Sequence, residues 1–321
     1  MASLRHKLGA LVYDWPRFLG ALRGRSRWVR MRNRNERITL DPNGRGVRCE
    51  WEFGSDLHIA NIYPFTARWL MNRALSEWPI EERDEPCTAG EPRVSFVIGH
   101  RGSERVPLLL KTLRTIAAQD VAVECVVVEQ SARPQLQLPS WVRTIHTPID
   151  SDALPYNRAA AFNAGARAAS ASVLVLHDND TLVPAAYARE AIARIERGAE
   201  IADIKRFIFY LDEHGAPEVV TQNLHGGSIV AAREAYFAIG GFDESFVGWG
   251  GEDNDFWERA QTRRVDAFGS LPLVHLWHAP QKEKAMSEAT GGRRRYLEMR
   301  EVPVAERIAR LRSQESGRIE R

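Results

Sequence analysis

A short segment rich in glycine and carboxylates, residues 240–255, is the part of this sequence best suited to chemistry. It reads GGFDESFVGWGGEDND. Glycine lets a backbone adopt positive φ or lie close against a ligand, and Trp249 offers a flat face for a sugar ring. Glu252 and Asp253 can accept a hydroxyl proton. Acids also favour the first turn of a helix, but that does not explain the glycines and the tryptophan. The segment predicts the side of an active site that binds an alcohol.

A second set of residues could bind a divalent cation. Asp178 ends the apolar run 172–178 and Asp180 follows two residues later. Carboxylates at this spacing suit Mg²⁺ or Mn²⁺. Aspartate is common in turns, so the position at a strand end is what favours a metal site. His278 precedes a loop and is the better histidine ligand, whereas His275 is expected to be buried and hydrogen-bonded.

Polar residues also open the alanine-rich stretch 156–169, which is predicted to be a helix. Asn157, Arg158 and Asn163 stand among small apolar residues. A nucleotide pyrophosphate near the start of the helix would explain them. Close packing of a helix on a sheet explains the small residues equally well, and both interpretations stay open at this point.

The elements that must position these residues alternate regularly along the chain. Apolar runs predict strands at 94–98, 123–129, 142–146 and 172–178, and helical spacing predicts helices at 106–118, 156–169 and 184–198. Such alternation predicts an α/β fold with a mixed, mostly parallel sheet covered by helices on both faces. Ligands bind at the carboxyl ends of the strands in these sheets. Residues 99–101 and 178–180 follow two of those ends.

The chain divides into three predicted parts. Residues 1–92 form a basic, aromatic-rich accessory region that is partly packed, with helical spacing at 66–75. Charged residues, prolines and a glycine at 81–92 indicate a linker. Residues 93–284 form the α/β domain, and residues 285–321 form a C-terminal helical extension.

Composition and charge narrow the function classes. The chain has 321 residues, 44% of them hydrophobic and 27% charged, with a net charge of +2, as in a soluble globular enzyme. Residues 1–50 carry 12 Lys/Arg against 4 Asp/Glu. This basic region could contact anionic lipid, an acidic glycan or nucleic acid, or could be a solvated arm. Tryptophan and phenylalanine among the arginines favour an anionic membrane surface over nucleic acid, which is not expected as a partner.

The cysteines and the apolar runs lead to an expected location. Cys49, Cys87 and Cys125 lack metal-type spacing and cannot form a full disulfide set. No run of apolar residues reaches the ~20 that a membrane span requires. We therefore expect a cytoplasmic protein, peripheral to the inner face of the cell membrane if its N-terminal region binds lipid.

Taken together and in this order, three motifs resemble a known family. They are Asp178-x-Asp180, the 156–165 segment, and the 240–255 segment with its Trp-Gly-Gly-Glu-Asp element. This combination resembles GT-A-fold glycosyltransferases, in particular the β-1,4-galactosyltransferase C-terminal module and bacterial family-2 enzymes of the chondroitin-polymerase type. The resemblance covers about residues 93–284 and implies a GT-A (Rossmann-like) fold.

The resemblance also implies residue roles. The positions implied at the donor nucleotide are Arg101, Glu129, Gln130, Asn157, Arg158, Asn163 and Asp178. Asp180 and His278, with Asp178, would bind the metal. Trp249, Gly250 and Gly251 would contact the acceptor. Glu252 would bind a sugar hydroxyl, and Asp253 would be the catalytic base.

The implied activity is inverting transfer of a hexose, with galactose or N-acetylgalactosamine favoured. The donor would be a UDP-sugar, the cofactor Mn²⁺ or Mg²⁺, and the acceptor a glycan or lipid-linked glycan. A retaining GT-A glycosyltransferase is one alternative. A sugar nucleotidyltransferase would need a glycine-rich, lysine-bearing loop, of which residues 99–103 are a poor version. A non-catalytic glycan-binding protein would need no metal pair.

Overall fold

The computed structural model describes residues 4–44, 46–50, 55–222, 226–248, 250–279 and 291–319. The helices of this part of the chain are α1 Leu4–Tyr13, α2 Trp15–Leu22, α3 His58–Ile62, α4 Pro64–Glu77, α5 Val106–Ala117, α6 Arg158–Ala168, α7 Tyr187–Glu196, α8 Arg233–Ala238, α9 Glu252–Ala260, α10 Gly292–Met299 and α11 Val304–Ile319. Its strands are β1 Arg37–Leu40, β2 Val47–Glu50, β3 Ser55–Asp56, β4 Val94–His100, β5 Val123–Ser131, β6 Val142–Pro148, β7 Val173–His177, β8 Thr181–Leu182, β9 Ile201–Ala202, β10 Lys205–Leu211, β11 Pro217–Gln222, β12 Ser228–Ala232, β13 Val265–Asp266 and β14 Leu271–His275.

The larger sheet has seven strands in the order β13-β9-β12-β7-β4-β5-β6. Strands β7, β4, β5 and β6 run parallel, as do β9 and β13. Only β12 is antiparallel to its two neighbours. The sheet is therefore mixed and mostly parallel, which confirms the predicted fold class.

Helices cover both faces of this sheet because its side chains alternate. Phe96 of β4 packs in one buried cluster with Leu113 of α5 and Tyr187 of α7. The next residue, Val97, packs in another with residues of α6, α8 and α9. Gly165 allows α6 to approach closely, since a Cβ atom there would lie 2.3 Å from Cγ1 of Val97. The small residues of the 156–169 stretch thus have a packing role.

A second sheet joins the N-terminal region to the rest of the chain. Its order is β3-β11-β10-β14-β8, so β3 from residues 1–92 pairs with β11. Trp28, which is 1% exposed, packs in one cluster with Phe207 of β10 and Leu276 after β14. Arg206 donates hydrogen bonds to the carbonyl oxygens of Val29 and Met31, at 2.6 and 2.5 Å. Residues 1–92, predicted as an accessory region, therefore share a hydrophobic core with the strands of residues 93–284.

The C-terminal helices pack on α9. Buried Arg307 of α11 donates to Asp255 at 2.7 Å and to Glu258 at 2.6 Å. Arg310 donates to Asp243 at 2.8 Å. The extension therefore braces the helix that carries the acidic residues of the 240–255 segment. In the described part of the chain, none of the helices combines the length and the apolar character needed to cross a membrane.

Candidate functional site

The pairing of β8 with β14 brings Asp180 to two histidines. His275 is the partner of Thr181 in this antiparallel ladder, and the N–H of Leu276 donates to the carbonyl oxygen of Asp180 at 2.8 Å. As a result, His275 Nε2 lies 3.4 Å from Oδ1 of Asp180, and His278 Nε2 lies 3.6 Å from Oδ2. One ligand atom from each of the three side chains lies within 4.8 Å of the other two.

The chemistry of these three side chains fits a divalent cation. One carboxylate with two imidazoles is a ligand set for a first-row divalent cation, a class that includes Mn²⁺. His278 Nδ1 lies 2.8 Å from the carbonyl oxygen of Ala279, which can only accept, so Nδ1 carries the proton and Nε2 presents a lone pair toward Asp180. Burial, followed by smaller effects such as the Arg105 charge, lowers the pKa of His278 and favours this neutral form. The His275 ring packs against Tyr210, with centroids 4.5 Å apart.

Arg105 belongs to this group although the sequence reading did not select it. It ends a 3₁₀ turn, Ser103–Arg105, between β4 and α5. Its Nη1 atom lies 2.6 Å from Oδ2 of Asp180, and both side chains are largely buried. Arg105 thus supplies the positive charge that keeps a buried carboxylate paired. The sequence could have indicated Arg105, because it lies only a few residues after the predicted strand end at 99–101.

Arg158 connects the two sides that the sequence analysis identified separately. It is the first residue of α6. Its guanidinium donates to Asp178 at 2.7 and 3.0 Å and to Asp253 at 2.7 Å, and it lies 3.5 Å from Glu252. Burial would lower the pKa of Arg158, but the three carboxylates raise it well above its usual range. Burial would raise the pKa of Asp178, but the contact with Arg158 outweighs this effect and holds the pKa of that carboxyl below its usual value.

Glycine geometry places Glu252 and Asp253 at the start of α9. Gly251 caps this helix with a φ of 91°, and a Cβ atom there would lie 2.4 Å from the carbonyl oxygen of Gly292. Gly250 also has positive φ, at 96°. Trp249, predicted to contact the acceptor, lies outside the described residues. The glycines therefore allow the chain to enter α9 tightly against the C-terminal extension.

Glu252 has an unusual environment for a carboxylate. It is 7% exposed, and its Oε2 atom has no hydrogen-bond partner among the described residues. Burial and the neighbouring charge of Asp253, opposed by Arg158, raise its pKa to about 7. Near neutral pH this side chain can therefore either donate or accept a hydrogen bond.

Asn157 and Gln130, both predicted at the nucleotide, brace the start of α6. Oδ1 of Asn157 accepts from the N–H of Ala160 at 2.8 Å as a helix cap, and its amide donates to the carbonyl of Glu244 at 2.8 Å. The Gln130 side chain binds both the N–H and the C=O of Asn157, at 2.9 and 3.0 Å. These contacts fix the backbone from which Arg158 projects.

Asn163 is buried and fully engaged within the protein. Its amide donates to the carbonyl of Phe242 at 2.8 Å and to Glu244 at 2.9 Å. Its Oδ1 accepts from the N–H of Phe242 at 3.0 Å and from the Tyr236 hydroxyl at 2.5 Å. With these four bonds the side chain anchors the start of the 240–255 segment, and a contact of Asn163 with the nucleotide stays a prediction.

Glu129 also makes internal contacts. It is buried, and its carboxylate accepts from the Ser131 hydroxyl and the Gln135 N–H, both at 2.9 Å, and from the Leu136 N–H at 3.3 Å. These bonds hold the loop after β5. The carboxylate oxygens of Glu129 thus have protein partners, and its contact with the nucleotide stays a prediction.

The Arg101 guanidinium is only partly paired with the described residues. Its Nη2 donates to the carbonyl of Asp152 at 2.5 Å, but Nη1 is buried with no hydrogen-bond partner among the described residues. The Tyr156 hydroxyl is in the same situation, and it lies against Gly99, where a Cβ atom would be 2.0 Å away. Both atoms lie at the carboxyl end of β4, the edge at which α/β sheets bind ligands.

Comparison with protein families and curated proteins gives one match. Residues 214–277 match a family model described as the N-terminal domain of galactosyltransferase. The matched stretch contains the whole 240–255 segment and His275, and it ends one residue before His278. No curated protein matches the chain.

Several solved structures are similar to this chain at low identity. S. aureus TarS, residues 1–349 in complex with UDP-GlcNAc, has 13% identity and a TM-score of 0.46 over 60% of this chain and 61% of that one; this chain thus spans about three fifths of the TarS chain. The catalytic domain of Drosophila β1,4-galactosyltransferase 7, in complex with xylobiose, has 17% identity and a TM-score of 0.38 over 63% of this chain and 84% of that one. Mannosyltransferase PcManGT from Pyrobaculum calidifontis, in complex with GDP-Man and Mn²⁺, has 16% identity and a TM-score of 0.43 over 78% of this chain and 81% of that one.

Proposed function

We propose that this chain is a glycosyltransferase of the GT-A type. It would move a hexose from a UDP-sugar to a hydroxyl of a glycan or lipid-linked glycan, with inversion at the anomeric carbon. Galactose and N-acetylgalactosamine are the favoured hexoses. The observation that carries the proposal is the adjacency of two groups. Arg158 pairs with both Asp178 and Asp253. Asp178 stands two residues before Asp180, which together with His275 and His278 forms what we call the metal-type group.

The donor side would be formed by the metal-type group and by Arg101. Asp180, His275 and His278 would hold Mn²⁺ or Mg²⁺, and Asp178 stays a candidate ligand by its position in the chain. The cation, when bound, supplies Lewis-acid stabilisation of the leaving diphosphate. The unpaired buried donor of Arg101 would bind the nucleotide, at the end of β4 where ligands of α/β sheets bind.

The acceptor side would be formed by α9. Asp253 accepts the proton of the attacking hydroxyl as the bond to the anomeric carbon forms, a contribution of about 10²–10⁴-fold for a general base. Arg158 orients the Asp253 carboxylate through their 2.7 Å contact. Glu252, with a pKa raised to about 7, binds a sugar hydroxyl as donor or acceptor.

A ligand screen followed by product analysis tests this function. Thermal unfolding is measured with each of several UDP-sugars, with Mn²⁺ or with EDTA. The cognate donor at a hundredfold excess over its Kd is expected to add about 2.7 kcal/mol of stability, only when Mn²⁺ is present. The Asp180→Asn variant is the matched control and should lose the response.

The outcomes separate the alternatives. NMR of the product should show the anomer opposite to that of the donor, and an unchanged anomer would indicate the retaining mechanism. Stabilisation by glycans alone, without any Mn²⁺-dependent turnover of a UDP-sugar, would support the non-catalytic glycan-binding function.

A further inference from the structure

Helix α1 presents an apolar stripe to the outside of the protein. Leu4, Leu8 and Leu11 recur at the spacing of one helix face, and Val12 lies beside them. Their exposed fractions are 74%, 52%, 46% and 60%. Soluble proteins seldom gather large apolar side chains on one exposed helix face without a binding partner.

The orientation of this stripe is set by the fold. Ala10, on another face of α1, is 3% exposed and packs inward. The hydroxyl of Tyr63, between α3 and α4, donates to the carbonyl oxygen of Lys7 at 3.3 Å. Asp14, directly after the helix, is also buried. Helix α1 therefore packs on the protein through the face that carries Ala10, and its leucines lie on the exposed face.

Positive charge surrounds the stripe. Arg5 and Lys7 are exposed and, at ~100° per residue, flank the leucines on either side. The guanidinium of Arg34 lies over the Tyr13 ring at the end of the helix, 3.7 Å from its centroid. Residues 4–34 contain nine Lys or Arg and one acid, the buried Asp14.

We propose that this α1 face, formed by Leu4, Leu8, Leu11 and Val12 with Arg5 and Lys7, docks on an anionic lipid bilayer. Leucines bordered by Lys and Arg match the interfacial helix, whose apolar residues enter the acyl boundary while the cations meet the headgroups. A second copy of the chain fits less well, because it would bring the same positive charge to the contact. The proposal goes beyond the transfer reaction, since binding needs neither donor nor metal.

Vesicle sedimentation of the full chain tests the proposal. Vesicles of phosphatidylglycerol in phosphatidylcholine are compared with pure phosphatidylcholine at low salt. The wild type should bind the anionic vesicles, with affinity falling as salt rises. The double variant Leu8→Ser/Leu11→Ser should bind at least about tenfold more weakly. Arg5→Gln/Lys7→Gln should lose about fivefold for each charge removed.

Controls distinguish membrane docking from other effects. Leu297→Ser, at a 49% exposed position on α10, should bind as the wild type does. Circular dichroism and the thermal midpoint show whether the Leu8→Ser/Leu11→Ser variant is folded, and its transfer to a soluble acceptor should be unchanged, which separates this proposal from the proposed function. The proposal would be overturned if the wild type did not bind anionic vesicles, or if the Leu8→Ser/Leu11→Ser variant bound them equally well. It would also be overturned if the wild type formed a dimer that this variant dissociated.

Discussion

His275 Nε2 lies 3.4 Å from Oδ1 of Asp180, a residue of the turn that joins the two sheets between β7 and β8. Asp180 follows β7 of the seven-stranded sheet, and His275 ends β14 of the five-stranded sheet. The two-residue strand β8 joins them, because Thr181 pairs directly with His275. A cation held by Asp180, His275 and His278 would therefore tie the β7–β8 turn to the end of β14.

Loss of Asp180 or His275 is expected to weaken Mn²⁺ binding at least tenfold, because each supplies one of three convergent ligand atoms. Isothermal titration of Asp180→Asn and His275→Ala measures the change. His214→Ala is the control, since that imidazole is 82% exposed. We expect a smaller loss for Asp178→Asn, whose carboxylate is paired with Arg158. An equal loss in that variant would make Asp178 a direct ligand.

Asp253→Asn is expected to lower kcat by about 10²–10⁴-fold while UDP and Mn²⁺ still bind. The amide keeps an oxygen for the bond from Arg158 but cannot take up the hydroxyl proton. Steady-state rates and a titration with UDP measure the two effects separately. Asp120→Asn, which removes an exposed pair with Arg189, should leave both unchanged. Near-normal turnover in Asp253→Asn would assign the proton transfer to another group.

Glu252→Gln is expected to change how stability depends on pH. The folded state raises the pKa of Glu252 from 4.5 to about 7, so the native protein binds this proton more tightly than the unfolded chain does. Its contribution is fully present below pH 4.5 and is lost as the pH rises through 7. The wild type should lose stability relative to the variant over this range, by at most about 1.4 kcal/mol per pH unit. Urea unfolding at pH 5, 6, 7 and 8 measures the difference, and parallel curves would contradict it.

Arg307→Met is expected to lower the free energy of unfolding by about 3 kcal/mol. The substitution removes the ion pairs of Arg307 with Asp255 and Glu258. Of the ion pairs described, buried Asp255 then keeps only the one with Arg259, and a buried charge that loses a partner is costly. Urea denaturation gives the value. Arg294→Met, which breaks an exposed pair on α10, should cost no more than about 1 kcal/mol. Equal losses in the two variants would mean that α11 does not brace α9 through this arginine.

Strands β4, β5 and β7 of the larger sheet could be predicted from the sequence because they are buried on both faces. The run predicted at 94–98 corresponds to Val94–His100, and the run at 123–129 to Val123–Ser131. Both strands extend further because their polar ends continue to pair, His100 with Glu129. The two-residue strand β8 is too short for any periodicity, so its link between the sheets was not predictable.

The candidate site was predictable by residue type more than by contact. His275 was expected to be buried, yet it is half-buried beside Asp180. Its neighbours Val274 and Leu276 are buried, and the alternation of side chains along a strand was the signal that could have placed His275 on the other face. The bonds of Asn163 could not be foreseen, because its partners are brought to it by the turn at Phe242.

The core that Trp28 shares with Phe207 and Leu276 limits how this chain can be dissected. A fragment starting at residue 93 would uncover β11 and β14, on which α4 packs, and β14 is the strand that ends at His275. We expect such a fragment to aggregate, and we expect His275 to lose the packing that holds it beside Asp180. For expression, recombination or domain grafting, the smallest transferable unit therefore includes the basic helices at the N-terminus.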